Sequence, residues 1–217
     1  PAEENETSVL IHEIVEGATV VVSEVEVDTI ANTGEGNVVS ASEVQDLEQL
    51  YTALSSGVKE INVTTTIVIE ANQDVVIDLN GKTVRAVDTT ESNFELIKNK
   101  GTLVIKNTAA ETAEMTVEAT INSGWNRYSA VIANEVGGDL SVEGDIILEH
   151  LGGTDMAYGI DNLTNGKGTK AVTTINGGTV KSTYRAVRQF LNGTEAFNEL
   201  YVNGGTIDGR NNKSLWM

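Results

Sequence analysis

The chain has 217 residues, no cysteine and a formal charge of −18, from 14 Lys and Arg against 32 Asp and Glu. With no thiol there is neither a disulfide framework nor a thiolate metal site. A field this negative repels phosphate backbones and anionic lipid, which weighs against nucleic acid and membrane surfaces as partners, and no apolar run approaches the ~20 residues that a membrane span needs.

The first 50 residues hold 12 of the acids and no Lys or Arg, so they form a compositional block of their own. Pro1-Ala-Glu-Glu-Asn-Glu-Thr7 reads as a solvated tether of the kind that follows a cleaved export signal or lipid anchor, or simply as a frayed acidic terminus. Val20 to Asp28 then alternates, with Val25 and Val27 on one side of a strand and Glu24, Glu26 and Asp28 on the other. Residues 1–41 are therefore expected to be an acidic tether with a short β segment. Residues 42–57 follow as a helix. Ser42 with Gln45 makes a capping box, Val44, Leu47, Leu50, Tyr51 and Leu54 recur at helical spacing, and Gly57 is the stop signal. Placed just ahead of a run of strands, such a helix would cap the open end of a solenoid, whose terminal rung is otherwise bare.

From residue 58 onward short alternating strands are punctuated by Gly, Asn and Thr, with no room for crossover helices. Gly101-Thr-Leu-Val-Ile-Lys-Asn107, Gly138-Asp-Leu-Ser-Val-Glu-Gly144, Val172-Thr-Thr-Ile-Asn-Gly177 and Glu199-Leu-Tyr-Val-Asn-Gly204 repeat one another. Aligning Ile105, Val142, Ile175 and Val202 gives spacings of 37, 33 and 27 residues, the period of a solenoid coil. A second element recurs between them, beginning at Phe94, Tyr128, Tyr158, Tyr184 and Ser214, with its apolar column read through Ile97, Val131, Ile160 and Val187. A third follows the Asn-Gly turns, at Thr83, Ile146, Thr179 and Thr206. Three strands per coil over about five or six coils predict an all-β, single-stranded parallel β-helix for residues 58–217. Ser214-Leu-Trp-Met217 falls inside an expected strand with no polar cap, so the β-helix is expected to be truncated at its C-terminus. Its last coil would then be free to join a second copy into an oligomer.

The run Val76-Ile-Asp-Leu-Asn-Gly-Lys-Thr-Val84, the strand Gly101–Asn107 and the turns Ile175-Asn-Gly-Gly-Thr-Val180 and Val202-Asn-Gly-Gly-Thr-Ile207 resemble the pectate-lyase-like right-handed β-helix of large surface proteins from gut Gram-positive bacteria. The likeness covers residues 43–217, and its turns are specific to the architecture more than to any activity. It implies a right-handed coil in an extracellular protein associated with the cell wall or surface, adhesin-like in character, and says little about chemistry.

Asn80, Asn107, Asn176 and Asn203 fall at corresponding turns, where stacked amides could form a hydrogen-bonded ladder. Tyr128 and Tyr184, like Phe94, stand three residues before an aligned apolar position, whereas Tyr158 is displaced by one and so turned to the opposite face. With Trp125 and Arg127 in the adjoining loop, an exposed aromatic strip could stack on sugar rings; the plainer alternative is that these residues fill the core or a corner. The same alignment brings Asp161 and Arg188 onto adjacent rungs, with Lys98 two coils earlier and Ile132 between. A lyase of this fold needs carboxylates to hold Ca²⁺ against a uronate, plus an Arg or Lys as base, and a hydrolase needs clustered carboxylates. With one Asp in the column, a surface ion pair is the preferred reading. Asp139, Glu143 and Asp145 could hold Ca²⁺, although their spacing matches no EF-hand and no calcium nonapeptide; nothing else calls for a cofactor. His12 and His150 stand alone and read as surface residues.

The expected function is a non-catalytic module, adhesin-like or a stalk, that meets glycans or host surface proteins through Trp125, Arg127, Tyr128, Tyr158 and Tyr184. The alternative is a polysaccharide lyase or glycoside hydrolase acting on acidic polysaccharide through Asp161, Arg188 and Lys98.

Overall fold

The computed structural model describes residues 42–87, 93–119, 128–152, 156–166, 168–193, 195–210 and 213–216. The expected tether and N-terminal β segment, His12, Trp125 and Arg127 lie outside the described residues. Strand β1 (Ser42–Val44) and helix α1 (Leu47–Ser55) come first, then β2 (Glu60–Val63), β3 (Ile67–Ile69), β4 (Asp74–Asp78), β5 (Thr83–Val87) and β6 (Asn93–Asn99). β7 (Thr102–Lys106), β8 (Ala113–Glu118), β9 (Tyr128–Asn134), β10 (Asp139–Glu143), β11 (Ile146–Leu151) and β12 (Ala157–Asn165) follow. The rest are β13 (Lys170–Ile175), β14 (Thr179–Ser182), β15 (Arg185–Asn192), β16 (Phe197–Val202), β17 (Thr206–Asp208) and β18 (Lys213–Trp216).

Apart from β1 and β2, consecutive strands do not pair. From β3 onward each joins the strand three places along, which builds three sheets: β1-β2-β5-β8-β11-β14-β17, β4-β7-β10-β13-β16 and β3-β6-β9-β12-β15-β18. Every neighbour in them is parallel. This connectivity is compatible with a parallel β-helix, in which stacked coils satisfy one another's backbone without crossover helices. No helix among the described residues is long and apolar enough to cross a membrane.

Alternation selects the inward face. In β8, Ala113, Met115 and Val117 are buried and Glu114, Thr116 and Glu118 turn outward. Register then stacks like on like: Ile61, Val84, Met115, Leu148, Val180 and Ile207 form one column, and Ile77, Ile105, Val142, Ile175 and Val202 form another, at the positions read from the repeat. β8 itself was not foreseen, because it follows the stretch Thr108–Thr112 and not an Asn-Gly turn.

Helix α1 begins later than the capping box suggests. Ser42 lies in β1, paired with Ile61, and the N-cap is Asp46, whose carboxylate accepts the Gln49 N–H at 2.8 Å. Leu50, Ala53 and Leu54 join the hydrophobic core, and Lys82 Nζ donates to the Ser56 and Val58 carbonyls at 2.6 Å each, tying the end of the helix to the turn before β5.

Two further expectations are corrected in the interior. His150 is no surface residue: it is fully buried, between Val117 and Ser182 in the first sheet, and neither ring nitrogen makes a hydrogen bond of ordinary geometry. Desolvation pushes its pKa down to about 4, against a small upward pull from the main chain at Gly152 and His150. The expected Asn ladder exists over one rung, Asn203 to Asn176 at 2.9 Å, while Asn107 instead accepts from Gly81 N–H and donates to the Glu111 and Asp145 carbonyls. A buried ladder that the turns did not announce runs through the third sheet. Asn99 donates to Asn134 at 2.9 Å and Asn134 to Asn162 at 3.2 Å, with a further bond from Asn134 to the Val172 carbonyl at 2.7 Å.

Candidate functional site

The third sheet departs from simple alternation. Glu95 pairs with Ala130 and Ile97 with Ile132, and between them lie Leu96 and Val131, also in the core. Gly159 occupies the same position in β12, and a Cβ there would lie 2.6 Å from Val180 Cγ1, so the position faces inward. Two consecutive residues of each strand therefore face the core, and residues three apart, such as Glu95 and Lys98, share the outer face. This shifts the expected column by one in β9. Ile97, Ile132, Ile160 and Val187 align, and Ala133, not Ile132, separates Lys98 from Asp161.

The outer face of β6, β9, β12 and β15 consequently gathers most of the residues singled out in the sequence. Arg188 Nε donates to Asp161 Oδ1 at 2.7 Å and a second bond joins Arg188 Nη2 to Asp161 Oδ2. This fork-on-carboxylate pair is buried, Asp161 at 0% and Arg188 at 5% exposure, which corrects the expectation of a surface ion pair. The cause is aromatic cover. The guanidinium carbon lies 4.2 Å from the centroid of Tyr158, 4.8 Å from Phe190 and 5.7 Å from Tyr128. Burial raises the Asp161 pKa, opposed by the Arg188 hydrogen bonds. Burial alone would lower the Arg188 pKa, but those bonds to Asp161 outweigh it and raise it. The bidentate geometry is that of an ionised pair.

The aromatic strip is placed differently from the expectation. Phe94 is in the core, and Tyr158, expected on the opposite face from Tyr128 and Tyr184, lies with them on the outside. It is fully buried there, with Tyr184 edge-on at 6.0 Å and its phenol pushed up to about 12 by desolvation. Arg185 stacks on Tyr184 at 4.3 Å. The Tyr128 phenol is raised by burial and then by the charge and hydrogen bond of Glu95.

Two carboxylates on this face were missed in the sequence. Lys98 Nζ stands 3.6 Å from Glu95 and 3.6 Å from Glu135. Glu95 is 2% exposed and its Oε1 has no hydrogen-bond partner. The Glu95/Lys98 spacing of three would have revealed the pair, had the double inward step been recognised. Asp139 and Asp145 are exposed, Asp145 accepts the Thr112 hydroxyl, and Glu143 accepts the Ser141 hydroxyl. No three His, Asp or Glu side chains among the described residues are grouped so as to hold a metal.

No protein-family model, no curated protein and no solved structure matches the chain.

Proposed function

We propose that the chain is a non-catalytic module of a secreted or cell-surface protein, adhesin-like or a stalk, which meets glycans through the outer face of β6, β9, β12 and β15. One observation carries the reading. Asp161, the carboxylate that a lyase or hydrolase would recruit from this column, is sealed against Arg188 and closed to solvent. Tyr128, Tyr184, Lys98 and Glu135 are only half-buried, so this part of the face can meet a ligand. The finer architecture belongs to the same proposal: a right-handed, pectate-lyase-like coil of about five or six turns, with α1 as the lid of its first rung and Trp125 and Arg127, which precede β9 in the sequence, contributing to binding. Binding to an array of plant and host glycans, run beside lyase and reducing-sugar assays on acidic polysaccharide with and without Ca²⁺, tests it. Binding without turnover is expected. Turnover would establish the enzyme reading instead.

A further inference from the structure

Resting on that glycan-binding reading, we infer that the sugar met at this face carries an ammonium group, as a hexosamine does, and that Glu95 receives it.

The charges on the face decide the sign of the ligand. Among the described residues, Arg188 is held by Asp161, Lys98 stands between Glu95 and Glu135, and Arg185 lies stacked on Tyr184. A uronate carboxylate would have to pull Lys98 or Arg188 from its carboxylate and leave that carboxylate unmatched, which is unfavourable where water is scarce. Beside Lys98 and Glu135 the group left incomplete is an acceptor. Glu95 Oε1 is buried and without a donor, although Tyr128 and Lys98 both address the same carboxylate. A buried acceptor left unmade is rare enough to call for a partner.

The local balance favours a cation over a neutral hydroxyl. Around Glu95 itself, Glu95 and Glu135 outnumber Lys98 by one negative charge, since Asp161 and Arg188 cancel and Arg185 lies three strands away in β15. An ammonium supplies both the missing donor and the missing positive charge, and its neighbouring hydroxyls can serve Glu135 and the Tyr128 ring face. The approach is from the side of Lys98 and Glu135, whose side chains are 27% and 22% exposed.

The test is calorimetric titration of the full chain with glucosamine oligomers, their N-acetylated counterparts and oligogalacturonate, on the native protein, Glu95→Gln and Glu135→Gln. The glucosamine oligomer is expected to bind, and acetylation or a uronate to abolish binding. Glu95→Gln should weaken it about tenfold or more, the loss of a charge-assisted bond, with Glu135→Gln, at a more exposed position, weakening it less. Diffuse attraction of a cationic oligomer to an acidic chain would barely notice one charge in the total, so unchanged affinity in both variants overturns the inference. Equal binding of acetylated or uronate oligomers overturns it too, while leaving the glycan reading intact. Silence from every oligosaccharide refutes the glycan reading itself.

Discussion

His150 makes the stability of this protein depend on acid in a calculable way. The imidazole is fully buried with no hydrogen bond of ordinary geometry on either nitrogen, and its pKa falls from 6.5 in the unfolded chain to about 4. Between those values the unfolded state binds a proton that the folded state refuses, so stability rises with pH across this window. The contribution is fully present above pH 6.5 and lost as the pH falls towards 4. A displacement of this size corresponds to about 3 kcal/mol. Asp161, whose pKa is raised, works in the opposite sense and gains stability as the pH falls, so the wild-type curve alone does not isolate the histidine. The comparison that does is His150→Leu, which fills a similar volume and removes both orphaned nitrogens. At neutral pH the variant should be as stable as the native protein or more so. In urea titrations through the acid window the native protein should lose about 3 kcal/mol relative to it. Parallel curves for the two proteins would refute the assignment of a neutral buried imidazole.

Three other substitutions probe the same framework. Asp161→Asn leaves the Arg188 guanidinium charged and unmatched under its aromatic cover, and should cost about 3–5 kcal/mol in urea unfolding. Asn134→Ala removes the middle of the buried ladder, with its bonds to Asn99, Asn162 and the Val172 carbonyl; about 1–3 kcal/mol of destabilisation is expected, read as a lower urea midpoint. Gly159→Ala puts a methyl 2.6 Å from Val180 Cγ1 and 2.8 Å from the Ala186 carbonyl. It should lower the melting temperature through overpacking of about 1–3 kcal/mol, and an unchanged melting point would mean that this position does not face the core.

The repeat and its columns were legible because each inward position of two of the sheets returns at the same place in every coil. Ile105, Val142, Ile175 and Val202 could be aligned by eye, and the ladder pairs them. What failed were inferences from strict period two. In β6, β9, β12 and β15 two adjacent residues face the core, so placing the apolar column three residues after each aromatic chose Val131 over Ile132, and strict alternation put Tyr158 on the wrong side. The identities Asp161, Arg188 and Lys98 were found, because Ile97, Ile160 and Val187 were aligned as the ladder pairs them and the slip fell in β9 alone. Their burial was not, since a charged residue on the outer face of a solenoid strand is ordinarily solvated, and nothing in the local pattern says that this face is covered. His150 escaped for the converse reason: its alternation with Leu148 marks it as inward, but its polarity argued for the surface.

The contrast between the sheets bears on where function lies. Outward positions of β4, β7 and β10 are exposed or half-buried, as in an ordinary one-sided sheet, whereas β6, β9 and β12 are buried on both faces over most of their length. A doubly covered strand of a parallel sheet is normally a continuous apolar run. Here the outer side instead carries Glu95, Asp161 and Arg188 with three aromatic rings around the guanidinium. Well-packed apolar residues would do as well or better for stability at such positions, because removing ions from water offsets their mutual attraction. The Asp161–Arg188 pair alone could be excused as a device that fixes the register of two coils. Glu95 cannot, since one of its oxygens has no partner for register to depend on. On the reading proposed above, this buried carboxylate with one oxygen left incomplete is a binding position, and its charge calls for a donor as the thing bound.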